Sequence, residues 1–351
     1  MSANKWTKAL QKFEAAVDFK YDSFAPENCS YTPSPSVNWI FANKANGIPK
    51  GSAVLLSSEA KSGKSLLIQA AIAEMHRRDP EGIAIIFNSE MRGAFQSGTI
   101  AGVDLNRLVI YDTNRPEEIF DFFEKDVQAM IQEGMPLRIV AIDSLNAIGG
   151  TKSMVADRSV NDHLIGDQAL TLQKGLQKFL PIVRKHKLTM FAVAQVRANI
   201  DGGSYGPKEK MAATFATKHG FDYFVSLRKA NAADDKQDME GNKFENEDMK
   251  DLRGNKEITG HRIIVKMEQS SFGTPGRVGM LTLDYKKGII NQHEEVFLLA
   301  YNTGVIKREG VSNYVFEDVK INGKGNFNKK MKEDQEFTNR ILQEVIKKDA
   351  Q

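Results

Sequence analysis

The amino-acid sequence predicts an α/β protein with a mostly parallel central sheet flanked by helices. Three observations favour this class: apolar runs of strand length alternate with helical patterns, a glycine-containing loop follows the first run, and a later run ends in an aspartate. The chain has 351 residues, of which 41% are hydrophobic and 26% are charged. That composition is typical of a globular protein with one large core and a small additional unit.

The first element predicted along the chain is an amphipathic N-terminal helix. Its apolar positions recur on one face at helical spacing: Trp6, Leu10, Phe13 and Val17. Residues 19–35 follow, and their three prolines are typical of a tether. From these residues alone, the helix either packs on its own core or docks on a neighbouring molecule.

The stretch "SEAKSGKS", residues 58–65, lies between an apolar run and a strong helical pattern. Strand, loop and helix are the context of a phosphate-binding loop, in which backbone N–H groups and the helix N-terminus face the phosphates. Lys64 is expected to contact the β- and γ-phosphates, and Ser65 to contact Mg²⁺. Ser58 replaces the first glycine of the usual pattern, whose role is a tight turn that serine also forms. Because the strand and helix patterns on both sides fit, a phosphate loop is favoured over a chance surface turn. The predicted nucleotide-binding residues are Ser58, Glu59, Ala60, Lys61, Ser62, Gly63, Lys64, Ser65 and Leu66.

Polar side chains end three further strand patterns. One run ends in Asp143, whose expected role is to hold Mg²⁺ through water beside the loop. Another is followed by Glu90, which either polarises the water that attacks the γ-phosphate or is a solvated loop residue. A third ends at Gln195, an amide that can bind the γ-phosphate and lose that bond after hydrolysis. Since the binding crevice of a parallel sheet lies at the carboxyl ends of its strands, these side chains are expected near the loop.

Residues 197–217 form a long segment after Gln195, with paired glycines and the cations Arg197, Lys208 and Lys210. A connection of this length is too long to be passive. One interpretation is a mobile loop whose spaced cations bind a polyanion under control of the nucleotide. The other is a flexible surface loop without a ligand.

The last part of the predicted core has two strand patterns, residues 263–267 and 278–283, without a helix between them, which predicts antiparallel strands that extend the sheet. Residues 230–256 are very polar and predict an exposed insertion or a partly disordered hairpin. The net charge of +3 permits nucleic acid as a partner without demanding it. The single cysteine, Cys29, excludes an internal disulfide and fits a reducing compartment. No run approaches the length of a membrane span.

Taken together, the motifs resemble those of the RecA family of DNA recombinases, near bacterial RecA and the phage UvsX branch. The resemblance is carried by "SPSVNWIFANKANGIPKGSAVLLSSEAKSGKS", by "FNSE" followed by "AGVDLNRL", by "IVAIDS" and by "AVAQVR". Residues 298–348 resemble the small C-terminal domain of bacterial RecA, in which an aromatic-rich hairpin precedes a helix. No single motif is decisive, but their order and spacing are specific.

The resemblance implies a domain organisation and a function. The implied domains are an oligomerisation helix and linker at 1–35, a RecA-like P-loop ATPase core with DNA-binding loops at 36–300, and a small C-terminal α+β domain at 301–351. The implied function is that of a DNA-dependent ATPase and recombinase, which forms filaments on single-stranded DNA and promotes homologous pairing and strand exchange in recombination and repair. The alternatives are a ring helicase or other motor with the same core, and an ATP-liganded DNA-binding module without strand exchange.

The resemblance also implies ligands, partners and residue roles. ATP and Mg²⁺ are the implied cofactors. The implied partners are single-stranded and double-stranded DNA, further copies of the chain, and single-strand-binding and mediator proteins. No membrane is implied as a partner, and the implied location is the cytoplasm of a bacterial or phage-infected cell. The implied catalytic residues are Lys64, Glu90 and Gln195, with Ser65 and Asp143 at the metal and Tyr285 near the base. The implied DNA-binding residues are Arg197, Lys208, Lys210, Lys152 and Arg158.

The chain departs from the family pattern at two functional places. The adenine-stacking tyrosine of the family falls on Ser97. The two lysines that in bacterial RecA reach the γ-phosphate of the neighbouring subunit fall on Gln269 and Ser271, with Lys266 and Arg277 nearby. Base recognition and the contact between subunits are therefore expected to differ from those of bacterial RecA.

Overall fold

The computed structural model describes residues 25–41, 46–59, 62–93, 102–151, 166–198, 209–211, 220–230, 237–240, 242–250 and 254–349. The helices are α1 (Pro35–Trp39), α2 (Lys64–Arg78), α3 (Pro116–Phe122), α4 (Gln128–Gln132), α5 (Asp167–Lys185), α6 (Gln292–Asn302), α7 (Lys324–Glu333) and α8 (Gln335–Asp349). A π turn over Phe123–Val127 joins α3 to α4. No helix in these ranges is long and apolar enough to cross a bilayer.

The strands form one large sheet and three small ones. They are β1 (Cys29–Ser30), β2 (Ile48–Pro49), β3 (Ala53–Ser58), β4 (Ile83–Asn88), β5 (Leu108–Asp112), β6 (Leu137–Asp143), β7 (Thr189–Ala198), β8 (Glu209–Met211), β9 (Tyr223–Lys229), β10 (Glu245–Lys250), β11 (Lys256–Ile258), β12 (Gly260–Ser270), β13 (Val278–Asp284), β14 (Gly288–Ile290), β15 (Lys307–Glu309), β16 (Asn313–Phe316) and β17 (Val319–Asn322).

The main sheet has ten strands in the order β14-β13-β12-β9-β3-β7-β6-β4-β5, with β8 paired to β7. From β9 through β3, β7, β6 and β4 to β5, neighbouring strands run parallel. From β9 through β12 and β13 to β14 they run antiparallel. The predicted fold class, a mostly parallel sheet flanked by helices, is confirmed, and so is its antiparallel extension. Strand β9, which joins the two parts, is absent from the sequence-based prediction.

Alternate residues of the central strands pack on opposite faces of the sheet. On β3, Val54 and Leu56 belong to the apolar cluster that includes Ile68 of α2. Leu55, between them, belongs to the cluster on the other face, which includes Phe179 of α5. This alternation follows from the two-residue period of a strand. A parallel sheet needs both faces covered, and the two clusters supply that cover.

Residues 25–35 lie on the core and do not form a free tether. Strand β1 pairs antiparallel with β2, with Cys29 opposite Pro49, and Cys29 is buried. Ser34 is buried and caps α1, since its side chain accepts a hydrogen bond from Val37 N at 3.1 Å. These residues, which the sequence predicts as part of a linker, are therefore packed in the structure. The amphipathic helix predicted around Trp6, Leu10, Phe13 and Val17 lies outside the described residues.

A small C-terminal α+β unit follows the main sheet, as predicted. Strands β15, β16 and β17 form an antiparallel sheet, and α6, α7 and α8 pack with it. Their shared core contains Phe297, Phe316, Phe327, Phe337 and Ile341. Because Phe297 lies on α6, this core includes residues before the predicted boundary at 300/301.

An ion pair fastens the end of the last helix to the main sheet. Arg277, next to β13, donates two hydrogen bonds to Asp349, at 2.7 and 2.6 Å. Its guanidinium lies 4.4 Å from the centre of the Trp39 ring. A bidentate pair of this kind fixes the orientation of the arginine. Arg277 is therefore engaged within its own chain, and nearby Lys266 pairs with Glu268 at 2.8 Å.

The polar segment at 230–256 contains a hairpin in its described part, where β10 and β11 pair antiparallel. A turn before the hairpin is closed by Asp238, which accepts hydrogen bonds from Glu240 N and Asn242 N. Glu240 also lies 3.3 Å from the amine of Lys332 on α7. Of the two predictions for this segment, a hairpin is present in its described part, and the turn before it contacts the C-terminal unit.

Candidate functional site

A loop at the carboxyl edge of the sheet connects β3 to α2. β3 ends at Ser58 and α2 begins at Lys64. Gly63, just before the helix, has a φ of +90°, a conformation that residues with a Cβ rarely adopt. The N-terminus of α2 is therefore brought to the carboxyl ends of the parallel strands, where its unpaired N–H groups favour an anion. Strand, loop and helix have the arrangement that the sequence predicts.

The amine of Lys64 is held at the start of this loop. It donates hydrogen bonds to Ser58 Oγ at 2.6 Å, to Ser58 O at 3.1 Å and to Glu59 O at 2.8 Å. Burial lowers the pKa of Lys64, and the carboxylates of Asp143 and Glu90 oppose that shift. Ser58 thus does more than form a turn, because its hydroxyl accepts a hydrogen bond from the loop lysine.

Asp143, at the end of β6, contacts the first turn of α2. Ser65 Oγ donates a hydrogen bond of 2.5 Å to Asp143 Oδ2. Burial raises the pKa of Asp143, partly offset by this bond, and the nearby Glu90 carboxylate raises it further. A hydroxyl and a carboxylate oxygen side by side are hard ligands, and a cation there would relieve the charge of two close carboxylates. The donor set fits Mg²⁺, which is usually held by one or two protein oxygens together with substrate phosphates.

Glu90 follows β4 and is held on both carboxylate oxygens. Its Oε1 accepts hydrogen bonds from Gln195 Nε2 at 2.8 Å and from Ser144 Oγ at 2.9 Å. Its Oε2 lies 3.1 Å from the guanidinium of Arg92. These contacts place Glu90 beside Asp143 rather than in a solvated loop. The geometry supports the first of the two interpretations of Glu90.

These groups line one cavity of about 380 Å³, a size suited to a small ligand. The lining residues are Ser62, Gly63, Lys64, Ser65, Leu66, Glu90, Arg92, Asp143, Val193, Gln195, Lys229, His261 and Tyr285. The order of the strands sets the positions of their ends. Glu90 and Arg92 follow β4 on one side of the loop, and Lys229 ends β9 on the other side.

The antiparallel side of the cavity carries an aromatic pair. Tyr285, after β13, is partly exposed, and its hydroxyl lies 3.0 Å from His261 Nδ1 on β12. The two ring centres are 5.5 Å apart. Burial raises the pKa of Tyr285. Both side chains line the cavity, and an aromatic ring there suits the expected place of Tyr285 near a nucleotide base.

Gln195 joins the cavity to the strand that continues toward the predicted DNA-contact loop. Its backbone N–H donates to Asn146 Oδ1 at 2.7 Å, and its side chain reaches Glu90. β7 continues for three residues beyond Gln195 and pairs there with β8, with Arg197 opposite Lys210. The structure thus brings the base of the predicted loop next to the cavity.

Most of the predicted nucleotide-site residues line the cavity. Other predicted residues lie outside the described parts of the chain. Ala60 and Lys61 of the loop, Lys152, Arg158 and Lys208 lie outside the described residues, as does Ser97. Only the backbone of Arg197 and Lys210 is described. Sequence reasoning missed four cavity residues: Arg92, Val193, Lys229 and His261. Lys229 stands at the carboxyl end of β9, which was the available signal, whereas Arg92 lies beyond the turn that follows β4.

Comparison with known proteins finds similarity to RecA proteins. A family model described as the RecA N-terminal domain matches residues 20–252. The protein named Protein RecA of Mycoplasma mycoides subsp. mycoides SC is 27% identical over 302 residues, which are 86% of this chain and 79% of that protein. Protein RecA of Fusobacterium nucleatum is 25% identical over 95% of this chain and 80% of its own. Protein RecA of Oleidesulfovibrio alaskensis is 21% identical over 96% of this chain and 88% of its own.

The fold and the site define an α/β protein of the phosphate-loop class, with a loop, a lysine and two carboxylates at the carboxyl edge of a parallel sheet. The family model covers well over half of the chain. The chain belongs to the RecA family, and the resemblance inferred from its motifs is confirmed.

Proposed function

We propose that the protein is an ATP-dependent recombinase, which assembles as a filament on single-stranded DNA and promotes homologous pairing and strand exchange. The observation that carries the proposal is the position of Gln195. Its amide bonds Glu90 inside the cavity, while its own strand runs without interruption to the base of the predicted DNA-contact loop. A change at the phosphates can therefore be transmitted through one continuous strand to the predicted DNA-contact loop.

The cavity supports ATP hydrolysis with Glu90 as the base. In the proposed step a water oxygen attacks the γ-phosphorus, and the bond from that phosphorus to the β–γ bridging oxygen breaks, with the electron pair left on ADP. The water proton passes to the Glu90 carboxylate. Lys64 leaves its loop oxygens to bind the phosphates. Mg²⁺, held by Ser65 and Asp143, would neutralise phosphate charge when bound.

The coupling to DNA follows from what Gln195 bonds in each state. A γ-phosphate within reach would draw the amide away from Glu90 and fix the residues that follow on β7. Arg197 stands opposite Lys210 in the register of β7 and β8, so two cations of the predicted set share one short hairpin stem. We propose that this stem binds the phosphates of the single strand, together with Lys208, Lys152 and Arg158 of the adjoining loops.

Self-assembly is supported by the edge that the sheet has among the described residues. β5 is the outermost strand on the parallel side, and it leaves Val109 47% exposed, with Leu105 just before it 49% exposed. An exposed apolar strand edge is a template for pairing with another chain. We assign the docking of residues Trp6, Leu10, Phe13 and Val17 to a neighbouring subunit. The proposal includes mediator partners and a cytoplasmic location.

The first test is electron microscopy of the protein with ATP, Mg²⁺ and single-stranded DNA, combined with ATPase assays with and without DNA. A helical filament with DNA-stimulated hydrolysis and strand exchange between homologous duplexes supports the proposal. Closed rings that unwind a duplex would assign the chain to the helicase alternative instead. ATP binding without hydrolysis would leave only a DNA-binding module.

The second test separates the nucleotide switch from simple DNA affinity. Gln195→Ala is expected to keep ATP binding but to erase the difference in single-strand affinity between ADP and a non-hydrolysable ATP analogue. Gln132→Ala, the same change on an exposed helix end, is the matched control. The measurement is fluorescence anisotropy of a labelled strand across a salt series, in which each phosphate contact contributes about 0.7 to the log–log slope. If Gln195→Ala distinguishes the two nucleotides as the parent does, the switch lies elsewhere.

A further inference from the structure

A strained turn after β4 brings a second cation into the cavity. Met91 has a φ of +51°, which side-chain-bearing residues adopt rarely and mostly where the surrounding structure requires it. Asn88, which is buried, donates from its amide to Arg92 O at 2.9 Å and to Asp112 Oδ1 at 2.6 Å. The turn is therefore fixed at both ends. Because the chain reverses at Met91, Arg92 lines the same cavity as Lys64 and Asp143.

The head group of Arg92 is held loosely, while its carboxylate partner is held firmly. The guanidinium lies 3.1 Å from Glu90 Oε2, and the side chain is 73% exposed against 17% for Glu90. An ion pair so exposed contributes little and exchanges at little cost. The other oxygen of Glu90 keeps its bond from Ser144 even when the amide of Gln195 turns to the γ-phosphate. Arg92 can thus leave Glu90 without displacing the proposed base.

The chemistry of the cavity needs a cation at this point. Phosphoryl transfer spreads negative charge over the γ-phosphate oxygens, and enzymes stabilise that charge with lysine, arginine and metal ions placed around it. Among the described lining residues, Lys64 stands on the loop itself and Lys229 at the end of β9, on the far side of the loop from Glu90. Arg92 is the arginine beside Glu90, where the attacking water would lie.

We propose that Arg92 is a catalytic residue, a cis-acting arginine that moves from Glu90 Oε2 to a γ-phosphate oxygen in the transition state of ATP hydrolysis. This inference rests on the proposed ATPase function of the same cavity. The move does two things at once. It places a planar guanidinium, a bidentate donor, on the charge that develops at the phosphate, and it frees Glu90 Oε2 to take the proton of the attacking water. The bonds made and broken are those of hydrolysis to ADP and phosphate.

The variants that test the proposal are Arg92→Ala and Arg92→Lys, with Arg115→Ala as the matched control. Arg115 is an arginine of similar exposure whose guanidinium lies 3.8 Å from Glu118, and it does not line the cavity. Arg92→Ala is expected to lower kcat for ATP on the order of 10³-fold, as the removal of an arginine finger does, with KM changed less than about threefold. Arg92→Lys is expected to restore only part of the rate, because an ammonium lacks the bidentate geometry.

Two further readouts distinguish a catalytic from a positioning role. Retention of fluorescent ADP with aluminium fluoride, which mimics the transferring phosphoryl group, is expected in the parent and in Arg115→Ala but not in Arg92→Ala. Added guanidinium ion is expected to raise the rate of Arg92→Ala and to leave that of the control unchanged. Circular dichroism checks that each variant is folded.

The outcomes separate this inference from the function on which it rests. Parent-like kcat in Arg92→Ala overturns it. A slow Arg92→Ala that retains ADP and aluminium fluoride as the parent does also overturns it, since Arg92 would then act only by holding Glu90. A parent that hydrolyses no ATP, with or without DNA, would instead overturn the proposed function itself.

Discussion

Two pairs of acidic residues have contrasting surroundings. Glu90 and Asp143 lie in the cavity at the carboxyl edge of the sheet, and three of their partners, Ser65, Arg92 and Gln195, line the same cavity. Glu294 and Glu295 lie in the first turn of α6 and are buried. Arg262 donates to Glu294 Oε2 at 2.7 Å, and Ser36 N donates to Glu295 Oε2 at 2.9 Å.

The comparison shows that a buried carboxyl with a shifted pKa is not by itself a sign of function. Burial raises the pKa of Asp143 in the cavity, and it raises the pKa of Glu294 and of Glu295 between the core and the C-terminal unit. What differs is whether a ligand can replace the hydrogen-bond partners of the carboxylates. The cavity pair faces space for a ligand that can replace its contacts, whereas the α6 pair is bonded by groups that no ligand can reach. We therefore expect activity to depend on the first pair and stability on the second.

The largest effect is expected from Glu90→Gln. The amide keeps the size of the side chain and an acceptor oxygen for Gln195 and Ser144, but it loses the ion pair with Arg92 and cannot accept the proton of water, so hydrolysis should fall by about 10²- to 10⁴-fold. Nucleotide affinity and the free energy of unfolding should change little. Single-turnover hydrolysis with single-stranded DNA and titration with a fluorescent nucleotide measure the two quantities. Glu133→Gln, at an exposed helix end, is the control, and an unchanged rate in Glu90→Gln would show that Glu90 is not the base.

The next effect concerns the buried pair of Arg262 and Glu294. Glu294→Ala leaves a buried guanidinium without its carboxylate, which typically costs about 3–5 kcal/mol of folding free energy. Denaturant unfolding measures this loss. The ATPase rate per folded molecule should remain within about twofold of the parent. A double replacement, Arg262→Leu with Glu294→Leu, should recover most of the stability because no charge is then left unpaired. A double variant no more stable than Glu294→Ala would contradict a purely electrostatic role.

The same contrast explains what could be predicted from the sequence. The loop, Asp143 and Gln195 were predictable because strand patterns and their ends are local, and because parallel strands bring their carboxyl ends to one edge. The bonds of Ser58 to Lys64 and of Arg92 to Glu90 were not, since each depends on how a turn orients a side chain. The α6 pair was not predictable either, because Ser34 and Glu295 meet only when the first and last parts of the chain pack together.

Glu295 gives a smaller effect that depends on pH. Burial raises its pKa to about 8, and hydrogen bonds from Ser34 and Ser36 only partly oppose the shift. The folded state thus binds a proton that the unfolded state has released between pH 4.5 and about 8, so this group's contribution to stability is complete below pH 4.5 and is lost as the pH rises through 8. Glu295→Gln should gain stability relative to the parent over that window by at least about 1 kcal/mol, since one pKa unit corresponds to about 1.4 kcal/mol. Denaturant unfolding at pH 5, 6.5 and 8 measures the difference, and a difference that stays constant with pH would contradict the assignment.

The smallest effect is expected at Ser58, and it tests whether the contacts in the cavity are exchangeable. Lys64 must give up loop oxygens to bind phosphates, and Ser58 Oγ is one of the three that hold it. Removing one hydrogen bond of this kind is worth about 0.5–1.5 kcal/mol, so Ser58→Ala should tighten nucleotide binding by about two- to tenfold. Ser58→Gly should do the same unless the freedom of glycine at the end of β3 offsets the gain. Titration with a fluorescent ADP measures both variants. If Ser58→Ala weakens nucleotide binding instead, the Ser58 hydroxyl binds the nucleotide rather than competing with it for the Lys64 amine. The claim that ligands replace the contacts of the cavity residues would then be wrong for this loop.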